Sequence, residues 1–212
     1  MTRQNHQTKA FTLAEVLITL AIIGIVAALT IPMLMNNISD KESKTAWKET
    51  YSMLSQATLR IMNDNDETMK GLCVGMDYQC IADLYEAYLS TTKTCDSFTF
   101  YGTCWSNSFT SLNGSNPGWG AGSGALLKNG SFAGFYYYAP NCDFSYIGTQ
   151  LCGEIIVDVN GFKRPNVIGR DIFLVKITDK GISPDGINDG TTNSCDPTSD
   201  GRGCSAKYLY DK

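Results

Sequence analysis

The sequence predicts an α+β protein. A long N-terminal helix, membrane-spanning in its first half and amphipathic in its second, is expected to pack on an antiparallel β-meander head with disulfide bonds. Three features predict this class: an apolar run over residues 11–34, a helical spacing of apolar side chains in residues 36–63, and short β-prone runs with turn signals after residue 124. A chain of 212 residues can supply one such helix and one globular domain.

The apolar run contains a single ionisable side chain, that of Glu15. A helix of this length reaches about 36 Å at 1.5 Å per residue, and a bilayer core is about 30 Å thick. An acidic side chain in hydrocarbon costs roughly 2.5 to 3.5 kcal/mol at mid-membrane and less near an end. Residues 11–34 can therefore cross a membrane, and Glu15 is expected to have a partner there.

The start of the chain follows an ordered pattern. A short polar leader with Arg3 and Lys9 precedes Phe11-Thr-Leu-x-Glu15, and the apolar helix continues without interruption. This order resembles the class III signal of type IV pilins and type II secretion pseudopilins. The α+β fold predicted above is accordingly pilin-like.

The resemblance implies how the chain is processed. Prepilin peptidase would cut between Ala10 and Phe11, and Phe11 would then be methylated. The family usually has Gly before the cut, so Ala10 predicts slower processing. Pro32 becomes the twenty-second mature residue, where many pilins also have Pro. Because Pro removes a backbone hydrogen bond, we expect a local melt over residues 24–32, which the family associates with filament assembly.

The charge of Glu15 suggests a role in assembly. After cleavage Phe11 carries a free α-amino group, and a carboxylate one turn along the helix can meet the ammonium group of a neighbouring subunit. Breaking such a buried pair costs several kcal/mol, so Glu15 is expected to set the register of stacked subunits. The alternative is an ordinary signal anchor with an incidental Glu near its end.

Charge and composition exclude several functions. The chain has 17 Lys and Arg against 21 Asp and Glu, and loss of Arg3 and Lys9 leaves 15 against 21, a net charge of −6. Bulk nucleic-acid binding is therefore not expected. The one histidine, His6, lies in the leader, so the mature chain has no Ser-His or Cys-His nucleophile, and no phosphate-binding loop is present. We do not expect an enzyme.

Eight cysteines follow the apolar run. Their even number predicts disulfides formed in an oxidising compartment, whereas zinc is disfavoured because neither Cys-x-x-Cys nor a mature histidine is present. When the eight cysteines are taken in consecutive pairs along the chain, the members of each pair are 7, 9, 10 and 9 residues apart. Four local bridges are therefore the simplest of the 105 possible connectivities. The cysteines are Cys73, Cys80, Cys95, Cys104, Cys142, Cys152, Cys195 and Cys204.

Periodicity predicts the remaining elements. Trp47, Tyr51, Leu54 and Ile61 share one helix face, which is expected to be core, and the polar residues 63–66 end that helix. The other predicted elements are a helix over 78–89, a loop-rich segment over 91–124 with a strand-like piece at 98–101, a hairpin of 125–127 and 131–138, and strands at 154–159, 171–178 and 181–183. Within the hairpin, at least one of three consecutive tyrosines, residues 136–138, is expected to be exposed because alternate side chains face opposite ways.

A calcium site is an open alternative in the last third of the chain. Asp158 and Asn160 precede a glycine as in the opening of a calcium loop, and Asp185, Asn188 and Asp189 could supply further oxygen ligands. No Glu follows at the bidentate position, and the same residues suit a tight turn between strands. No other cofactor is expected.

Together these features predict a structural subunit of a type IV pilus or type II secretion pseudopilus. Residues 1–10 would be a cleaved leader, 11–35 the transmembrane and assembly segment, and 36–212 the head. The subunit would sit in the bacterial inner membrane before assembly and in a periplasmic or cell-surface filament afterwards. Its expected partners are prepilin peptidase, the inner membrane, and copies of itself or other pilins in a helical filament. Two alternatives remain: a minor, tip-located pilin serving as a binding, adhesion or DNA-uptake module, and a membrane-anchored extracytoplasmic domain that never assembles.

Overall fold

The computed structural model describes residues 12–118, 122–186 and 195–210. The chain divides into two compact units, Met1–Ser39 and Asp40–Lys212. The predicted leader, Phe11, Asn188 and Asp189 lie outside the described residues. The elements are α1 (Leu13–Asn63), α2 (Tyr78–Glu86), β1 (Thr91–Cys95), β2 (Ser123–Leu127), β3 (Phe132–Tyr137), β4 (Phe144–Tyr146), β5 (Thr149–Leu151), β6 (Gly153–Asp158), β7 (Ile172–Thr178), β8 (Gly181–Pro184) and α3 (Cys204–Tyr210).

Helix α1 is 51 residues long and ends at Asn63, at the polar run predicted to end it. It is continuous through Pro32, so the structure of the single chain contradicts the local melt expected over residues 24–32. A proline removes only its own bond to the carbonyl four residues earlier. The flanking backbone hydrogen bonds are enough to keep the helix intact.

The sheet of the second unit is antiparallel throughout, in the order β1-β2-β3-β6-β7-β8. The predicted α+β architecture with an antiparallel meander is confirmed. A separate two-stranded hairpin, β4-β5, is inserted between β3 and β6. Its strands of three residues are too short to show a sequence period.

Several predicted boundaries are corrected by the structure. No strand forms at residues 98–101; the strand of that region is β1, whose Thr-rich, largely exposed sequence lacks an apolar alternation. Helix α2 ends at Glu86 rather than residue 89, with Asp77 as its N-cap accepting from the Cys80 amide at 2.9 Å. Helix α3 was not predicted, because seven residues span only two turns.

One core lies between the sheet and the helices of the second unit. Trp47 of α1 stacks on Phe173 of β7 with ring centroids 4.8 Å apart, and Tyr85 of α2 stacks on Phe135 of β3 at 4.9 Å. The predicted apolar face of α1 is therefore core, with Leu54 fully buried. Burial of large side chains on this face is the main stabilising contribution to the head.

A second core covers the opposite face of the sheet. Phe100 and Trp105 come from the loop-rich segment after β1, and they pack with Phe132, Ile156 and Leu174 from the strands. The rings of Phe100 and Trp105 are stacked with centroids 5.8 Å apart. Part of the segment predicted as loop thus buries apolar side chains that shield the sheet from water.

The three consecutive tyrosines are not exposed as predicted. Tyr137 is buried, whereas Tyr136 and Tyr138 are half-buried. The ring of Tyr78 lies 5.4 Å from that of Tyr136, and Phe144 of the inserted hairpin lies 4.9 Å from Tyr138. Tyr78 is 58 residues from Tyr136, and Phe144 belongs to a hairpin inserted after β3, so the alternation of side chains within β3 could not reveal either ring.

The eight cysteines form four disulfides between sequence neighbours, which is the pairing the spacing favoured. Each bridge closes a loop of about ten residues or fewer around one element of the head. The pairs are Cys73–Cys80, Cys95–Cys104, Cys142–Cys152 and Cys195–Cys204.

Candidate functional site

The first turn of α1 holds Glu15 through a reciprocal set of hydrogen bonds with Thr12. The Thr12 amide and hydroxyl both donate to Glu15 Oε2 at 2.9 Å, and the Glu15 amide donates to Thr12 Oγ1 at 3.2 Å. The Thr12 carbonyl accepts from the Val16 amide at 3.3 Å, as expected of an N-cap residue. This arrangement is a capping box, in which side chains satisfy amides that have no helical partner.

Sequence reasoning identified Glu15 but overlooked Thr12. The signal was present, since Thr followed three residues later by Glu before an apolar run is typical of a helix start. Glu15 therefore has a local structural role in the single chain. Any role in assembly has to be separated from it by experiment.

The apolar residues that follow Glu15 are uncovered on every side of the helix. Leu13–Pro32 is long and apolar enough to cross a membrane, judged by length and composition, and none of it is buried. A helix that is apolar all round requires lipid or other helices as its surroundings. Its large exposed apolar side chains are Leu13, Val16, Leu17, Ile18, Leu20, Ile22, Ile23, Ile25, Val26, Leu29 and Ile31.

Of the other residues predicted to act in processing and assembly, only Pro32 lies among the described residues. Pro32 lies within α1, at the end of the candidate membrane span. Ala10 and Phe11, the expected cleavage and methylation positions, lie outside the described residues.

Two buried carboxylates stand at the ends of the loop between β6 and β7: Asp158 is the last residue of β6, and Asp171 directly precedes β7. Asp171 accepts from the amides of Val167 at 2.6 Å and Asn166 at 2.8 Å, and from Asn160 Nδ2 at 3.0 Å. Asp158 is also fully buried, and its Oδ1 accepts from the Asn160 amide at 3.1 Å. Burial and the neighbouring Asp171 raise the pKa of Asp158 to about 8.

Asp185 belongs to a different cluster. Its Oδ1 lies 3.0 Å from Lys176 Nζ and its Oδ2 accepts from Arg202 Nε at 2.6 Å, while Arg202 also pairs with Glu154. Burial raises the pKa of Glu154, and the guanidinium of Arg202 opposes that shift. Because both Asp185 oxygens already have cationic partners, Asp185 is not available as a ligand beside Asp158 and Asn160.

The described part of the chain contains no group of three or more His, Cys, Asp or Glu side chains placed to hold a metal ion. A transition-metal centre, which relies on such ligands, has no candidate there. A site for a hard cation would need amide and main-chain oxygens in addition to carboxylates.

Comparison with known proteins adds one finding at the N-terminus. Residues 5–31 match the family model described as the prokaryotic N-terminal methylation motif. Neither the curated proteins nor the solved structures give a significant match. The match spans residues 5–10 of the predicted leader, the position of Glu15 and most of the apolar span. The chain therefore carries the cleavage and methylation signal of type IV pilins and pseudopilins, which indicates a pilin-like or pseudopilin precursor.

Proposed function

We propose that the protein is a structural subunit of a type IV pilus or a type II secretion pseudopilus. In this proposal prepilin peptidase removes residues 1–10, and the subunit polymerises through residues 11–35. The observation that carries it is the lone carboxylate of Glu15 at the start of a helix whose apolar surface is uncovered. The methylation motif supports the same assignment.

Assembly would move this helix from lipid to a core of identical or related helices. Glu15 is exposed in the single chain and satisfied by Thr12. In an apolar core it would need a cation, and the free amine of Phe11 on a neighbouring subunit supplies one after cleavage. Such a head-to-tail contact is heterologous, so it extends into a filament rather than closing.

Two substitutions separate the charge of Glu15 from its capping role. Glu15→Gln removes the charge and retains the capping box, since Gln also serves at this position. Thr12→Val removes the capping hydroxyl and retains the charge. Sheared surface filaments from the native bacterium are quantified for both variants and the wild type. We expect Glu15→Gln to reduce filaments at least tenfold, because an unpaired buried amine costs several kcal/mol, and Thr12→Val to assemble near wild-type levels.

Mass spectrometry of the same preparations is expected to show loss of residues 1–10 and one methyl group on Phe11. Membrane fractionation and protease resistance of the head establish that each variant is inserted and folded. Wild-type filament yield from folded, cleaved Glu15→Gln would contradict the pairing role. An intact N-terminus on wild-type protein that stays monomeric would show instead a plain membrane anchor.

A further inference from the structure

We propose that Lys176 and Asp185 condense into an intramolecular amide, in which Lys176 Nζ is bonded covalently to the side-chain carboxyl carbon of Asp185. The bond links β7 to the residue that follows the edge strand β8. Both side chains belong to the buried charge cluster that also contains Arg202 and Glu154. This modification is independent of the filament function proposed above.

The central observation is a lysine and an aspartate that are shielded from water and in direct contact. Lys176 is 1% exposed and Asp185 is 0% exposed. The Lys176 nitrogen lies 3.0 Å from Asp185 Oδ1, so it is within about 4.2 Å of the carboxyl carbon, given a carbon–oxygen bond of about 1.2 Å. Buried ions lose their hydration, and their mutual attraction often fails to repay that loss. An amide is uncharged, so condensation removes both desolvated charges.

The strand register places a second carboxylate beside the lysine. Glu154 of β6 and Lys176 of β7 are direct partners across the antiparallel sheet, so their side chains are neighbours on one face. Glu154 also accepts hydrogen bonds from Arg202 and from the Tyr138 hydroxyl. Burial raises the pKa of Glu154, which brings this carboxyl group closer to the range in which it can accept and return a proton near neutral pH.

Arg202 holds the other oxygen of Asp185. Its Nε donates to Asp185 Oδ2 at 2.6 Å, while the Lys176 nitrogen lies beside Oδ1. Attack on the carboxyl carbon places negative charge on its oxygens, and a fixed guanidinium stabilises that charge where water is excluded. The centroid of the Tyr146 ring, from the inserted hairpin β4-β5, lies 5.7 Å from the Lys176 nitrogen and 5.0 Å from the Arg202 guanidinium carbon. This ring covers the cluster.

The condensation is balanced by the groups already present. One ammonium proton passes from Lys176 to Asp185 Oδ1 across the 3.0 Å contact, and the electron pair left on nitrogen forms the bond to carbon. Glu154 takes a second proton from the nitrogen and returns it to Oδ1. The bond between carbon and Oδ1 then breaks with its electron pair on oxygen, and water leaves. Oδ2 remains as the amide oxygen beside Arg202.

A surface groove gives the released water a way out. Tyr146 and Arg202 also line a cavity of about 230 Å³, whose polar walls include Ser111, Ser115 and Asp200. After condensation Arg202 and Glu154 remain as one ion pair, so the charges of the cluster stay balanced.

The test weighs the full-length protein, purified in detergent, denatured and reduced, by intact mass spectrometry. We expect a mass lower by one water molecule than the sequence and the observed N-terminus require. Trypsin does not cut after an acylated lysine, so the peptide of residues 171–180 should stay uncut at Lys176 and be joined to the peptide that begins at Gly181. A mass that matches the sequence, with complete cleavage after Lys176 in protein that was folded before denaturation, would overturn the proposal.

The ion pair of Lys70 and Asp179 is an internal control in the same digest. Its charged atoms are 3.9 Å apart, and its side chains are 51% and 41% exposed. Water stabilises both ions at such an exposed position, so cleavage after Lys70 should be complete. A cross-link there as well would show that the preparation forms amides without a buried site, and it would refute the proposal.

Variants test the assigned roles. Lys176→Met removes the attacking nitrogen, so its mass should equal that of its sequence. Glu154→Gln retains both reacting groups and removes the proton acceptor, so the cross-linked fraction, sampled at intervals after induction, should grow at least about a hundredfold more slowly. Glu154→Asp restores a carboxylate and should recover part of the rate, which a merely structural role would not predict. Cross-linking at the wild-type rate in folded Glu154→Gln would contradict the proton relay.

Discussion

Two glycines on neighbouring strands determine whether Phe100 can enter the second core. Gly124 of β2 and Gly134 of β3 are cross-strand partners, and the Phe100 ring lies against both. A Cβ atom at Gly134 would lie 2.7 Å from the ring, and one at Gly124 would lie 2.7 Å from the ring and 2.3 Å from the Ala133 carbonyl oxygen. Glycine is therefore needed at both positions, because any side chain would displace the Phe100 ring.

We expect Gly134→Ala to lower the free energy of unfolding by about 1 to 3 kcal/mol, because the ring must shift to admit a methyl group. Gly124→Ala should cost more, since its added atom meets backbone. Denaturant unfolding of each purified variant measures both. Combining Gly134→Ala with Phe100→Leu should cost less than the sum of the single changes, and strict additivity would show that the ring is not the obstacle.

Glu86, the last residue of α2, has a partly buried carboxyl group whose ionised form is disfavoured. Its Oε1 is buried without a hydrogen-bond partner. Burial, with a smaller contribution from the nearby Asp83, raises its pKa to about 7. The folded pKa lies above the unfolded value, so the stability that protonated Glu86 contributes is present below about pH 4.5 and is lost as the pH rises through about 7.

Glu86→Gln should remove this pH dependence. Its melting temperature should match that of the wild type near pH 4.5 and exceed it above pH 7, because the neutral amide is never ionised. Thermal melting from pH 4.5 to 8 measures the difference in melting temperature between Glu86→Gln and the wild type. In an Asp83→Asn background this difference should be smaller but still present. Parallel curves for wild type and Glu86→Gln would contradict the assignment.

At the scale of elements, the C-terminal segment closes the head. Ser205 of α3 accepts from Trp47 Nε1 through its carbonyl and from the Leu174 amide through its hydroxyl, both at 2.9 Å. Arg202, within the loop bounded by Cys195 and Cys204, pairs with Asp185 and Glu154. This disulfide-bounded loop thus positions one cation of a buried four-charge cluster that includes Lys176.

Replacing both Cys195 and Cys204 with Ala should lower the free energy of unfolding by about 2 to 3 kcal/mol from loop entropy alone. A larger loss is expected if Arg202 then leaves Asp185, because a buried carboxylate would lose one of its two cations. Denaturant unfolding monitored by Trp fluorescence measures the loss. Cys73→Ala with Cys80→Ala, which opens a similar loop without a charge cluster, is the control, and an equal loss in both double variants would show that the loop does not support Arg202.

At the scale of the whole molecule, one helix serves two environments. The apolar span Leu13–Pro32 belongs to the unit Met1–Ser39, whereas the part of the helix after residue 40 is amphipathic and buries Trp47 and Leu54 within the second unit. A continuous helix allows both without a loop in the membrane, where unpaired backbone groups would be costly. The fold thus joins a membrane-compatible segment to a disulfide-bonded α+β head.

The sequence by itself determined the features that depend on neighbours along the chain. The end of α1 at Asn63, the hairpin around Asn129 and Gly130, the four local disulfides, and the isolated acid at Glu15 all follow from local spacing and turn chemistry. Each of these features depends on residues that are close together along the chain, so no tertiary contact is needed to predict it.

Only the tertiary structure decided which distant groups meet. The partners of Asp185, the ring of Tyr78 beside Tyr136 and the glycine pair beneath Phe100 all bring together separate segments of the chain. Asp158 and Asp185 looked equivalent along the chain, yet Asp158 is buried beside Asp171 whereas Asp185 contacts two cations. The reason is physical: Coulomb and hydrogen-bond energies depend on separation in space, which only the folded chain sets.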